Sequence, residues 1–131
     1  MESIEFLSFD DVLAIHADQL HRYGGREGFI DRTVIESAIG MPQQSAFGQF
    51  LHEDIVAMAA AYLFHLAASQ GFVDGNKRTA LVAAAEFLAR NGYRLNCTDM
   101  EIYDLTIRVA NRLADKSAAG DWMRERIEPI V

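Results

Sequence analysis

The sequence is poor in the residues that would assign it to several common protein classes. Only two prolines occur in 131 residues, and no repeat or low-complexity tract is present. With half the residues apolar, this excludes a collagen-like chain, a Pro-rich linker and a disordered segment. Cys97 is the single cysteine, so no internal disulfide can form, and no sequence neighbour would activate its thiol. Long apolar runs are missing: the longest, 55–68, is alanine-rich, contains His65 and is too short to cross a bilayer. The start, Met1-Glu2-Ser3-Ile4-Glu5, is acidic and lacks the basic-then-apolar order of a signal peptide. Positive charge is also scarce, with 12 Lys and Arg against 19 Asp and Glu and a net charge of −7. A nucleic-acid-binding protein ordinarily carries a basic surplus that displaces counterions, so nucleic acid is not expected as a direct partner. These absences lead to the expectation of a cytoplasmic protein with no membrane role.

What is present reads as one domain over residues 1–131, long enough for a single substantial core. Ser8-Phe9-Asp10-Asp11 supplies an N-cap and acidic first turn for a helix with Val12, Leu13, Ile15 and Leu20 on its apolar face, stopped by Gly24-Gly25. Asp31 caps a short second helix that ends at Gly40 and Pro42. Residues 43–50 follow no helical period and read as a loop or small hairpin flap. The third helix, from about His52 to Ser69, is apolar on nearly every side, which marks a helix buried at the centre. A linker over 70–74 leads to a fourth helix from about Asn76 to Arg90, closed by Asn91-Gly92, and 93–96 reads as extended. Thr98 and Glu101 form a capping box for a fifth helix carrying Ile102, Leu105, Val109 and Leu113. A last helix is expected from about Ala118 to Ile127, packing Trp122 and Ile127. The sum is an all-α fold of five to six helices around a buried central one.

The stretch that carries chemistry is Gln70-Gly71-Phe72-Val73-Asp74-Gly75-Asn76-Lys77-Arg78-Thr79. It feeds a helix N-terminus, where backbone N–H groups without intrahelical partners meet the positive end of the macrodipole and attract phosphates. Gly75 lets the backbone approach a phosphate closely. Lys77 and Arg78 place two cations where the dipole disfavours them unless an anion joins them. Asp74 could hold Mg²⁺, which favours one or two carboxylates together with phosphates and water. The same residues also read as an Asp N-cap followed by ordinary Gly-Asn turn chemistry. Phe72 reads as a core anchor for the loop. The spacing is not that of a P-loop.

Phe72-Val73-Asp74-Gly75-Asn76-Lys77-Arg78-Thr79-Ala80 resembles the core motif of the Doc toxins of the Fic superfamily, H-x-F-x-D-(A/G)-N-K-R-T-A. The likeness continues upstream through Arg22-Tyr23-Gly24-Gly25, Gly28 and Pro42-Gln43, and downstream through Phe87-Leu88 and Asn91-Gly92, so it covers about residues 10–115. The resemblance implies a Fic fold, ATP bound with Mg²⁺, and transfer of a phosphate-containing group to a protein hydroxyl. It implies that Asp74 holds the metal, that Gly75, Asn76, Lys77 and Arg78 hold phosphates, and that the 43–50 flap aligns the target segment. Fic adenylyltransferases carry a glycine at the position of Lys77 and an arginine at that of Leu81. Both departures match Doc, whose members resemble kinases acting on elongation factor Tu, so phosphoryl transfer is favoured over AMP transfer.

One position departs from the pattern. Where the family has a histidine as general base, this chain has Gln70, whose amide can orient a hydroxyl but cannot take its proton. Loss of a general base costs roughly 10²–10⁴-fold in rate. His65 is set about 140° around the third helix and about 7.5 Å back along it, so it is expected to point elsewhere. His16, His21 and His52 receive no role. The readings that stand are a Doc-type kinase impaired by Gln70, an AMP transferase, and a non-catalytic module that binds nucleotide or a partner. The inhibitory (S/T)-x-x-x-E-(G/N) segment of some Fic proteins is not intact, since Tyr23 precedes Glu27-Gly28 at the Ser/Thr position. Control by a separate Phd-type antitoxin chain is the expectation.

Overall fold

The computed structural model of the chain describes residues 3–131; Met1 and Glu2 of the acidic start lie outside them. Six α-helices are seen among the described residues: α1 Phe9–Tyr23, α2 Arg32–Gly40, α3 Ile55–Ser69, α4 Asn76–Arg90, α5 Asp99–Ala110 and α6 Lys116–Arg124. Two short antiparallel pairs complete the architecture, β1 Ser45–Ala46 with β2 Gln49–Phe50 and β3 Tyr93–Leu95 with β4 Ile127–Pro129. The all-α expectation holds. No helix among the described residues is long and apolar enough to cross a membrane.

Side-chain caps set most helix starts. Ser8 and Asp11 satisfy each other's backbone donors at α1, and Thr98 and Glu101 do so at α5. Asp31, Asp54 and Asp115 accept from the backbone N–H groups of Thr33, Ala57 and Ala118. Each such cap contributes about 1 kcal/mol. The exception is α4, which starts at Gly75 with no side-chain cap.

Helix α3 is the axis of the fold. Met58, Ala59, Ala60, Ala61, Tyr62, Leu63, Leu66 and Ala67 are all buried on it, and it packs against α2, α4, α5 and α6. Its alanines let neighbours come close: a Cβ added to Gly120 of α6 would lie 3.8 Å from the Cβ of Ala60. The phenol of Tyr62 accepts from the backbone N–H of Leu7 at 2.9 Å, and burial pushes its pKa up to about 12. Each large apolar side chain removed from water here contributes about 1.5–3 kcal/mol.

Four boundaries differ from the sequence reading. Helix α3 begins at Ile55 rather than near His52, because Asp54 supplies the cap. Helix α2 ends at Gly40 as expected, but the flap read over 43–50 starts later, because Gln43 lies with Pro42 in a 3₁₀ turn over Met41–Gln43, where the proline's missing N–H is harmless. Leu113 is 78% exposed and outside α5, because Asn111 ends the helix and Arg112 turns the chain in a left-handed conformation at φ 61°. Helix α6 runs Lys116–Arg124, earlier at both ends than expected, and Ile127 belongs to β4. The β3–β4 pair joins segments more than thirty residues apart and has no local signature.

The junction of flap, α3 and α6 is held by Lys116, whose ammonium donates to Nε2 of His52 at 3.0 Å and of His65 at 3.4 Å. Burial, then Lys116, then His52 push the pKa of His65 down to about 4 from 6.5. The folded state thus keeps His65 neutral while the unfolded chain takes up a proton below 6.5, so this contribution is lost as pH falls from 6.5 towards about 4. Asp11 is held at about 2 by its Arg90 and Ser8 hydrogen bonds, so its contribution is complete above 3.8 and lost only below that. Melting temperature measured against pH is therefore expected to fall in two windows. His65→Gln flattens the upper one and Asp11→Asn the lower.

Candidate anion-binding and catalytic site

Six residues, Gln70 to Gly75, cross from α3 to α4, and backbone constraints shape the path. Gln70 leaves α3 in the left-handed conformation at φ 51°, a geometry that costs a non-glycine residue roughly 1–2 kcal/mol. Gly71 is pressed onto α2: a Cβ there would lie 2.6 Å from Cγ1 of Ile35 and 3.0 Å from the carbonyl oxygen of Asp31. Its own carbonyl accepts from the N–H groups of Ile30 and Asp31 at 2.7 and 3.1 Å. Val73 donates to the carbonyl of Gly28 at 3.0 Å, and Phe29 and Phe72 form an isolated antiparallel bridge. The linker is thereby pinned to the 28–31 segment along its length.

Phe72 is buried, as its reading as an anchor requires. Its ring stacks on Phe29 with centroids 5.4 Å apart and on the imidazole of His16 at 3.7 Å, nearly parallel. The side chain of Asn76 closes the turn: Oδ1 accepts from Phe72 N at 3.0 Å and Nδ2 donates to Phe72 O at 2.9 Å. Gly75 is left-handed at φ 81°, and its carbonyl accepts from Thr79 N. Among the described residues, no acceptor lies in reach of the backbone N–H groups of Gly75, Asn76, Lys77 and Arg78.

Three of those four residues, Gly75, Asn76 and Lys77, border a cavity of about 280 Å³ whose lining also includes Ala67, Gln70, Val73, Asp74, Tyr103 and Ala110. Asp74 does not cap α4. Its Oδ2 accepts from the N–H of Arg26 at 2.7 Å, and no described residue donates to Oδ1. Neither Lys77 nor Arg78 has an ion-pair partner among the described residues. The guanidinium of Arg78 lies between two aromatic rings, 3.8 Å from the centroid of Tyr23 and 4.8 Å from that of Tyr103. Cation–π attraction of about 0.5–2 kcal/mol per ring fixes its orientation while leaving its N–H donors available. A polar cavity bordered by unpaired helix-start amides and Lys77, with Arg78 beside it and one carboxylate with a free oxygen, can receive a phosphate chain and a divalent cation together.

The structure thus brings Gln70, Asp74, Gly75, Asn76 and Lys77 to one cavity, with Arg78 beside it. Asn76 takes part through its backbone N–H, since its side-chain amide is occupied by Phe72. His65 is directed to Lys116 and lines a different hollow, beside Ser37, Met41 and Arg112. Sequence reasoning missed His16, Tyr103 and the backbone of Arg26. A histidine on an otherwise apolar helix stripe was the available signal for His16. Burial pushes the pKa of the Cys97 thiol up.

A family model described as the Fic/DOC family matches residues 6–88, which include the whole linker and the first turns of α4. The chain is 34% identical over 118 residues to a relative from Escherichia phage P1 named "Protein kinase doc", covering 90% of this chain and 92% of that one. It is 35% identical over 114 residues to "Toxin Doc" of Mycolicibacterium smegmatis, covering 85% of each.

Replacing Asn76 by Ala leaves both polar groups of the partly buried Phe72 backbone without a partner. We expect a loss of about 1–3 kcal/mol per stranded group at most, and not less than about 1 kcal/mol in total, in urea unfolding. Asn76→Asp keeps the acceptor and removes the donor, and falls between Ala and the parent.

Proposed function

The chain belongs to the Fic/Doc family, and from that membership we propose that it is a Doc-type toxin, built to transfer the γ-phosphoryl group of ATP to a protein hydroxyl on elongation factor Tu and so to inhibit translation. The observation that carries the reading is the row of four unpaired amides at the start of α4, three of them in residues that line one cavity with Asp74, together with the side chains of Lys77 and Arg78. A cavity of about 280 Å³ is small for a whole buried nucleotide and suits a phosphate chain whose nucleoside lies outside it. The free oxygen of Asp74 fits Mg²⁺, which needs few protein ligands when phosphate oxygens and water supply the rest. Held at Asp74, such an ion would supply positive charge to offset the charge that develops on the transferring phosphoryl group.

The chain's own residues would divide the work as follows. The N–H groups of Gly75, Asn76, Lys77 and Arg78 bind phosphate oxygens, and the two cations stabilise the charge on the transferring group. Gln70, at the mouth of α3 and lining the cavity, orients the acceptor hydroxyl but takes no proton from it. The β1–β2 flap, with both strands exposed and Phe47 fully exposed at its tip, offers free edges on which an extended target segment can align. Leu81 is packed against the core, so no cation stands one turn beyond Arg78. This supports γ-phosphoryl over AMP transfer. The relatives' names, a kinase and a toxin, agree with this reading, and a separate Phd-type antitoxin is the partner that it implies.

Gln70 supports a second reading, a module that binds nucleotide without turning it over. Radiolabel transfer from ATP to purified elongation factor Tu separates the possibilities. We expect Gln70→His to transfer γ-label at least about 10²-fold faster than the parent chain. Transfer of α-label instead would identify an AMP transferase. Binding of ATP with Mg²⁺ but no transfer by either chain would leave the binding module. Arg78→Ala is expected to weaken ATP binding at least about tenfold.

A further inference from the structure

His16 does not line the anion cavity. It stands behind the turn, on the face of α1 that looks into a separate hollow formed with Leu20, Gly25 and Gly28. Yet it is only 7% exposed, on a helix whose other buried positions are Val12 and Gln19. Three observations tie its imidazole to the turn. Nε2 lies 2.8 Å from the carbonyl oxygen of Asp74, so that nitrogen must carry the proton and donate it. The ring is stacked on Phe72 at 3.7 Å with a 9° tilt, the tightest aromatic pair among the described residues. A Cβ added to Gly75 would lie 3.4 Å from the imidazole Cδ2, so the ring also fills the space against which the left-handed residue folds.

We propose that His16 is a positioning residue for the phosphate-binding turn: by donating to the Asp74 carbonyl it sets the 74–75 peptide so that the Gly75 amide and the Asp74 carboxylate both face the cavity. This rests on the function proposed above and assigns no proton-transfer role to His16. The Asp74 carbonyl belongs to the same peptide unit as the Gly75 N–H. In a planar trans peptide these two groups point in opposite directions, so fixing the oxygen towards α1 directs the N–H to the other side. Asn76 cannot do this, because it holds the Phe72 peptide two residues earlier. Arg26 holds only the carboxylate of Asp74, not its main chain. The 74–75 peptide thus has one described side-chain anchor, and it is His16. Neither common substitute supplies both functions of the ring: phenylalanine keeps the flat stack and loses the donor, and glutamine keeps a donor and loses the stack.

The test uses the full chain and three variants, His16→Phe, His16→Gln and Val12→Ala, the last a core truncation on the same helix without contact to the turn's polar groups. ATP with Mg²⁺ is titrated by calorimetry, and amide hydrogen exchange is followed at Phe72, Val73 and Thr79. His16→Phe is expected to bind ATP about 10–100-fold more weakly and to exchange faster at those amides. His16→Gln should recover a substantial part of the affinity. Val12→Ala should melt at a lower temperature but bind as the parent does. Parent-like ATP affinity in His16→Phe, or an equal loss in Val12→Ala, would overturn the proposal. Should no form bind ATP, the proposed function is what fails, and exchange then decides on its own: acceleration confined to His16→Phe upholds the positioning role, and unchanged exchange ends it.

Discussion

Two buried helices, α3 and α4, must be joined by a handful of residues whose backbone polar groups cannot be left dry, and most of the site follows from how that demand is met. On the inner side a group of each residue from 71 to 74 finds a partner. Gly71 bonds to the 30–31 amides, Val73 to Gly28, Phe72 to the Asn76 amide in both directions, and Asp74 to His16. On the outer side the first amides of α4 find none, because the position that would cap them is the glycine at 75. A helix end in this state has its lowest energy with an anion against it. The absence of a cap, in a chain that caps its other helices with Asp, Ser or Thr, is therefore the clearest functional feature of the fold.

Charge sharpens the same point. The chain carries a net charge of −7, yet two neighbouring cations at the first turn of α4 have no ion-pair partner among the described residues. With so many carboxylates present, neutralising Lys77 and Arg78 would have required only one of them nearby. Instead Arg78 is steadied by the rings of Tyr23 and Tyr103, which hold a guanidinium in place without occupying its donors. The carboxylate that lines the same cavity, Asp74, accepts from the Arg26 amide and keeps one oxygen free. The arrangement concentrates positive potential in a small polar cavity and leaves it available.

Gln70 sits at the one place where geometry and chemistry part. Its left-handed backbone at the end of α3 aims the side chain at the cavity, the geometry a general base would need. The side chain itself has no titrating group. His65 offers no replacement, since it is drawn towards Lys116 and kept neutral by burial and by that ammonium. On the function proposed above, the groups for positioning phosphate and hydroxyl are present in this chain, while proton removal has no described residue assigned to it.

Local physics made much of this legible before any coordinates. Caps at Ser8, Asp31 and Thr98, the stop at Gly24, the all-round apolar α3 and the start of α4 at Asn76 are all short-range effects, decided within one or two turns of chain. Phe72 and the anion-seeking cations at 77 and 78 were readable for the same reason. What tertiary structure decided is whatever depends on which distant segments meet. The pairing of β3 with β4 was hidden, and so was the exposure of Leu113 after the turn at Arg112. The choice between Asp74 as a cap and Asp74 as a cavity carboxylate was settled by Arg26, which lies 48 residues away. The partnership of His16 with the Asp74 carbonyl, across 58 residues, likewise has no period or motif to announce it. A hydrogen bond between remote segments is specified only once the core has brought them within about 3 Å, and that is a property of the packed chain and not of its neighbours in sequence.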